Sequence, residues 1–136
     1  MSSLINTIKR HEGLRLHPYK CTANKLTIGY GRNLEDVGIS EEEAELLLRA
    51  DIAKALSQCR TNFDWFDDLS QGRQEALVNM CFQLGINGLS KFKKMLFALS
   101  KGNYQEAYRQ ALDSKWAKQT PNRCKNFVFC FAKSPP

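Results

Sequence analysis

Leu4, Ile5 and Ile8 fall on one helical face at the start of the chain, with Ser2 or Ser3 placed to cap and Gly13 placed to stop, so the spacing predicts a short helix ending near Glu12. Pro18, Asn24, Gly29 and Gly31 then punctuate a stretch whose apolar residues, Leu26-Thr27-Ile28 and Tyr30 among them, fit strands better than a helix. A small irregular hairpin or sheet is expected there. Ser40-Glu41-Glu42-Glu43 has the form of a capping box, in which the serine oxygen accepts from the amide near Glu43 and the Glu43 carboxylate reaches back. The helix it opens carries Ala44, Leu47, Leu48, Ile52 and Leu56 at helical spacing, and could bridge two lobes while covering one face of each.

After Phe63-Asp64-Trp65-Phe66, Ser70 can cap a central helix bearing Ala76, Leu77, Met80, Cys81 and Leu84, which Gly85 would end. Further helices are predicted through Phe92, Leu96 and Leu99 to Gly102, and through Ala107, Tyr108, Ala111 and Leu112 to Trp116. Thr120-Pro121 starts another, with threonine as cap and proline at the first helical position. The order of elements gives an α+β fold in a single domain: a small β-containing lobe over about 13–57, joined by the long helix to a helical lobe over about 58–136 that also takes the N-terminal helix. A cleft between such lobes suits a polymeric substrate. Phe127-Val128-Phe129-Cys130-Phe131 is unusually apolar and Lys133-Ser134-Pro135-Pro136 stops a helix, which fits either a truncated or altered terminus that still folds or a buried terminal helix.

The apolar fraction of 43% and charged fraction of 25% are ordinary for a soluble globular protein, and no apolar run approaches the roughly 20 residues a membrane helix needs. Asn6 and Lys9 interrupt what would otherwise be the apolar core of a signal peptide, so the expected location is the cytoplasm of the producing cell. Five cysteines, Cys21, Cys59, Cys81, Cys124 and Cys130, are an odd number without CxxC pairing, which points to neither a disulfide framework nor a zinc site. Cys81, Cys124 and Cys130 sit among apolar neighbours as small hydrophobes, and Cys21 alone stands where chemistry is conceivable. His11 and His17 lack companions with metal-ligand spacing, so no metal and no organic cofactor are expected. A net charge of +6 and a pI near 9.2 favour a polyanionic partner, whether nucleic acid, anionic membrane or bacterial envelope. With no Lys/Arg stripe with interleaved aromatics apparent in the sequence, nucleic acid is not the expected partner.

Glu12 ends a helix immediately before the hairpin, although most glutamates in such places are solvated charges. Thr27 sits in a strand, where β-branched residues are common for packing reasons alone. The surrounding residues add a pattern. His11-Glu12-Gly13-Leu14-Arg15-Leu16, Tyr19-Lys20-Cys21-Thr22 and Leu26-Thr27-Ile28-Gly29-Tyr30-Gly31 resemble the active-site stretch of the phage-type lysozymes, including the spacing Glu12-x8-Cys21-x5-Thr27. Asn79-Met80-Cys81-Phe82-Gln83-Leu84-Gly85, Trp116 and Gln119-Thr120-Pro121-Asn122-Arg123-Cys124 extend the similarity to about Lys125.

That resemblance implies a lysozyme-like fold and hydrolysis of the β-1,4 bond between N-acetylmuramic acid and N-acetylglucosamine in peptidoglycan, through an oxocarbenium-like transition state. It makes Glu12 the general acid, and an acid in that role must be kept partly protonated by desolvation of the cleft. It assigns the Thr27 hydroxyl to positioning the attacking water, Arg123 to holding the acid, and Asn79 to a supporting place. Phe82 and Gln83 match positions facing substrate, with Phe82 open to a core role as well, and Gly29 and Gly31 would admit glycan close to the backbone. Trp116 fits a core anchor better than a sugar platform. Many relatives carry aspartate where Cys21 stands and histidine where Arg32 stands. A thiol works as base, nucleophile or charge stabiliser only when ionised, which here calls for Lys20 or another cation; otherwise it packs, and Glu12 acts alone on water held by Thr27. The implied biology is an endolysin, monomeric, made in the host cytoplasm and passed to the wall by a separate pore-forming holin, without stable membrane insertion. A catalytically impaired peptidoglycan-binding protein and a lytic transglycosylase, which would leave anhydro-sugar ends, are the alternatives.

Overall fold

The computed structural model describes residues 1–122 and 129–132. Its elements run α1 (Ser2–Glu12), β1 (Arg15–Lys20), β2 (Leu26–Gly29), β3 (Arg32–Asn33), α2 (Glu41–Asn62), a 3-10 turn (Phe66–Asp68), α3 (Gln71–Ser90), α4 (Lys93–Ser100), α5 (Tyr104–Leu112), α6 (Lys115–Gln119) and α7 (Phe129–Ala132). The three strands form one antiparallel sheet in the order β1-β2-β3, so the chain is α+β as expected. Contacts group it into two compact units, Met1–Leu47 and Leu48–Pro136. The expected division placed the boundary near 57 and gave α1 to the helical part. Here α1 groups with the sheet because its last turn touches it: Lys9 Nζ lies 5.4 Å from the centre of the Tyr30 ring, and the Glu12 side chain abuts Gly31.

Within residues 1–47 only Thr27 is buried, so this unit is held chiefly by its backbone ladder and polar contacts. Gly13, at φ 71°, stops α1 and returns its N–H to the Lys9 carbonyl at 2.9 Å, as the sequence predicts; Ser2 and Ser3, expected as caps, lie inside the helix instead. β1 pairs with β2 through Arg15↔Gly29, Tyr19↔Thr27 and Lys20↔Leu26, with a register irregularity between Arg15 and Tyr19. Pro18 sits in that interval of an edge strand, where its missing N–H is tolerated. Asn24, at φ 61°, turns the chain between the strands.

The capping box at the start of α2 forms as read: Glu43 N–H donates to Ser40 Oγ at 3.1 Å, and Ser40 N–H donates to Glu43 Oε1 at 2.9 Å. Arg32 adds a bidentate pair to the same carboxylate at 2.8 and 2.7 Å and a third bond to the Gly38 carbonyl at 3.1 Å, tying β3 to the start of α2. The Arg32 guanidinium foremost, then the Ser40 amide, hold the Glu43 carboxyl down at about 2. A depressed carboxylate contributes stability above its unfolded pKa, near about 4.3, and loses it as the pH falls towards the folded value. Wild type is therefore expected to melt above Arg32→Ala at pH 6, with the gap narrowing below pH ~4.3 and closing near pH ~2 in circular-dichroism melts. A gap that does not change with pH would contradict this.

Residues 48–136 hold the apolar core, with Cys59, Phe66, Leu77, Met80, Leu89, Met95, Leu99 and Phe131 all but inaccessible. The helix expected to stop at Gly85 does break there, at φ 75° and ψ 163°, and then resumes to Ser90. The segment predicted to run unbroken to Trp116 is two helices. Asn103 caps α5 and Ser114 caps α6, each side chain accepting from an amide three residues on. Ser70 precedes α3 but its hydroxyl accepts from Arg73 Nη1 at 3.4 Å instead of capping. Arg73 is itself buried. Its Nε donates to the Phe131 carbonyl at 2.7 Å and its guanidinium lies 3.6 Å from the Tyr104 ring centre, so Phe131 of α7, itself buried, is anchored to the core. Much of the helix expected after Pro121 lies outside the described residues.

Candidate active site

Glu12 is the last residue of α1, exposed, with its side chain lying against Gly31. A Cβ added at Gly31 would fall 2.7 Å from Glu12 Oε2 and 3.0 Å from its carboxyl carbon, far inside van der Waals contact. Gly31 also has φ 79°, a left-handed conformation that side chains resist. The backbone favours glycine here, and the missing side chain leaves room for the free end of Glu12, which a methyl would push aside. Gly29 shares the left-handed conformation at φ 71° but has open space where its Cβ would stand.

Cys21 opens the turn between β1 and β2. Its N–H donates to the Lys25 carbonyl at 3.0 Å and its carbonyl accepts from Asn24 N–H at 2.8 Å. Hydrogen bonding from the backbone at Lys25 foremost, then at Ala23, and from the Thr27 side chain holds the half-buried thiol below its ordinary range. From the sequence, ionisation of the thiol called for Lys20 or another cation. Lys20 Nζ is instead paired with Glu35 Oε1 at 2.7 Å, and that carboxylate also accepts from Leu26 N–H at 2.9 Å. The lowering at Cys21 comes from turn backbone and Thr27, with no lysine side chain among its causes.

Thr27 is 3% exposed and donates its hydroxyl to the Lys25 carbonyl at 2.8 Å while also facing the Cys21 sulfur. A hydroxyl has one hydrogen. In this structure it goes to the carbonyl, and a thiolate at Cys21 would compete for it as an ionised acceptor. Glu12 with Gly31, and Cys21 with Thr27, thus make two contacting pairs on one small sheet-bearing unit. Gly31 in the first pair was read from the sequence as a place for glycan, and its contact with the acid is what that reading missed.

The phage lysozyme family model matches residues 9–128. The chain belongs to the phage lysozyme family. It is 35% identical over 119 residues to an endolysin of Acyrthosiphon pisum secondary endosymbiont phage 1, covering 85% of this chain and 77% of that one. A probable T4-type lysozyme 2 of Dictyostelium discoideum is 29% identical over 160 residues, covering 96% of this chain and 94% of its own. The pre-baseplate central spike protein Gp5 of Enterobacteria phage T4 is 31% identical over 150 residues; 89% of this chain is covered but only 26% of the spike protein. Membership makes the chain a glycoside hydrolase of the lysozyme type.

The family's remaining candidate positions fall in the second unit. Phe82 is 39% exposed, not core, and with Asn79 lines an apolar groove of about 660 Å³ whose walls include Leu48, Ile52, Leu56 and Val78. Gln83 accepts from Trp116 Nε1 at 2.8 Å, so its carbonyl oxygen is engaged and its amide hydrogens are what it can offer a ligand. Trp116, 6% exposed and edge-on to Phe92 at 6.3 Å, is the core anchor the sequence favoured. Cys59 and Cys81 are buried neighbours; burial foremost pushes the Cys59 thiol up to about 12 and raises that of Cys81, as expected of packing thiols. Arg123 lies outside the described residues.

Proposed function

We propose that this lysozyme is an endolysin that hydrolyses the β-1,4 bond between N-acetylmuramic acid and N-acetylglucosamine of peptidoglycan and so contributes to lysis of the host cell. The observation that supports it most is the presence of two contacts on one sheet-bearing unit: Glu12 lies against Gly31, and Cys21 is within hydrogen-bonding reach of the Lys25 backbone and the Thr27 hydroxyl. Glu12 is exposed in the free protein, where a glycan can reach its carboxyl. Glu12 gives its proton to the leaving oxygen as the glycosidic C–O bond breaks. Water attacks the anomeric carbon, its proton passes to the Cys21 thiolate, and Thr27 orients that water or steadies the sulfur. Gly29, Gly31, Phe82 and Gln83 contact the glycan, while Asn79 and Arg123 support the site. No resident cofactor takes part. The protein acts as a monomer, reaches the periplasm or wall from the host cytoplasm through a separate holin, and does not use nucleic acid.

Purified peptidoglycan digested with the protein is expected to yield fragments with reducing ends, each a water heavier than an anhydro form, by mass spectrometry. Anhydro ends would instead make it a transglycosylase, and binding without cleavage would make it a wall-binding protein. In the same assay Cys21→Ala should lose on the order of a hundredfold in rate and Cys21→Asp should retain activity. Equal rates for Cys21→Ala and wild type would remove the thiol from the mechanism.

A further inference from the structure

Charge is divided unevenly along this chain. Lys and Arg number six against seven Asp and Glu over residues 1–47, and fourteen against seven over 48–136. The densest basic run free of acids is Lys91–Lys101, with four lysines and no carboxylate. Folding turns it into a face. Met95, Leu96, Ala98 and Leu99 of α4 are buried, leaving Lys93, Lys94, Phe97 and Lys101 outward, with Lys93, Phe97 and Lys101 four residues apart on one stripe. The sequence appeared to lack a basic stripe with an interleaved aromatic; helical spacing hides one here.

Phe97 is 65% exposed, an unusual cost for a large aromatic. Lys101 Nζ stands 5.6 Å from the centre of its ring. On one side of the stripe, Lys93, Lys94, Phe97, Ala98 and Lys101 border a shallow hollow of about 390 Å³ that reaches Glu106 and Gln110. Adjoining it, and sharing Lys93, Lys94 and Gln110, a second hollow of about 420 Å³ is bordered by Lys91 and reaches Asp113. Glu106 is the acid facing Lys94, and it is already taken up by Arg109 in a bidentate pair at 2.9 and 2.6 Å. The stripe therefore keeps its positive charge.

We propose that this α4 face is a peripheral docking surface for a bilayer rich in anionic phospholipid. Lys91, Lys93, Lys94 and Lys101 would meet headgroup phosphates while Phe97 enters the interfacial layer, a combination of basic charge and an aromatic anchor suited to a lipid surface. The exposed ring distinguishes this from adsorption to a purely hydrophilic anionic polymer, which gives an apolar group nothing to bury. Lys101 over the ring face disfavours its use as a stacking platform for a base. Such docking goes beyond glycan cleavage and would hold the enzyme at the membrane without insertion.

Vesicle co-sedimentation tests it with the whole protein: phosphatidylcholine vesicles with and without 30% phosphatidylglycerol, at ~50 and ~500 mM salt. Wild type is expected to bind only the anionic vesicles, and only at low salt. Lys93→Gln/Lys94→Gln/Lys101→Gln should partition about a hundredfold more weakly or worse. Phe97→Ala, a separate exposed change, should weaken binding while leaving melting temperature and cleavage of soluble glycan fragments unaltered. No wild-type binding to anionic vesicles, equal binding by the triple variant, or charge-dependent binding only to wall polymer or duplex DNA would overturn the proposal. Because no glycan is present, the result is independent of the proposed hydrolytic role.

Discussion

Replacing Glu12 with glutamine is expected to reduce reducing-end release from peptidoglycan by about 10²–10⁴-fold, the range a general acid contributes. The amide keeps the size of the side chain and its place beside Gly31, so folding should be spared. What it loses is the proton that the leaving oxygen requires. Glu12 is exposed and no part of the core, which makes an unchanged melting temperature a meaningful control. Full activity in the variant would remove the acid from the proposed mechanism.

The second large effect is expected at Gly31, with Gly29 as its internal control. Both residues have left-handed backbone, at φ 79° and 71°, so alanine at either should cost about 1–2 kcal/mol in stability. Only at Gly31 would the new methyl meet the Glu12 carboxyl, 2.7 Å from Oε2, whereas nothing lies within 4 Å at Gly29. The carboxyl must move aside, and a displacement of about an ångström at a reacting group can cost about a hundredfold in rate. Gly31→Ala is therefore expected to lose saturated rate out of proportion to its stability, whereas Gly29→Ala, beside the proposed glycan path but clear of the acid, should raise KM while its saturated rate falls only with its stability, as read by thermal melts beside rates over a range of glycan concentrations. Matching losses of saturated rate in the two variants would show that Gly31 matters only through backbone strain.

The contrast between these glycines also shows where the sequence runs out as a guide. Interactions between near neighbours were legible: the capping box depends on Ser40 and Glu43, three residues apart, and the end of α1 on Gly13 beside it. So were the hairpin, from Asn24 and the glycines around Leu26–Gly29, and the break at Gly85. The contact of Glu12 with Gly31 was not, because Gly31 lies nineteen residues away and a lone glycine signals a turn before it signals a close approach. The partner of Lys20 was illegible for the same reason. From sequence it is simply the cation next to Cys21, and only the fold brings Glu35 to claim it at 2.7 Å. Gln83 looked free to meet substrate until Trp116, thirty-three residues on, was found bonded to its carbonyl oxygen. The family resemblance, not spacing alone, singled out the acid, the thiol and the threonine as candidates; the neighbours each one touches are legible only in the fold.

The most direct test of Glu12 as proton donor compares wild type and Glu12→Gln on two glycosides of the same sugar. One has the natural sugar leaving group, and the other an activated nitrophenolate that departs without protonation. The 10²–10⁴-fold deficit on the natural bond should shrink to within about tenfold on the activated one, because only the first needs the acid. An equal deficit on both, or none on either, would contradict Glu12 as the group that protonates the leaving oxygen.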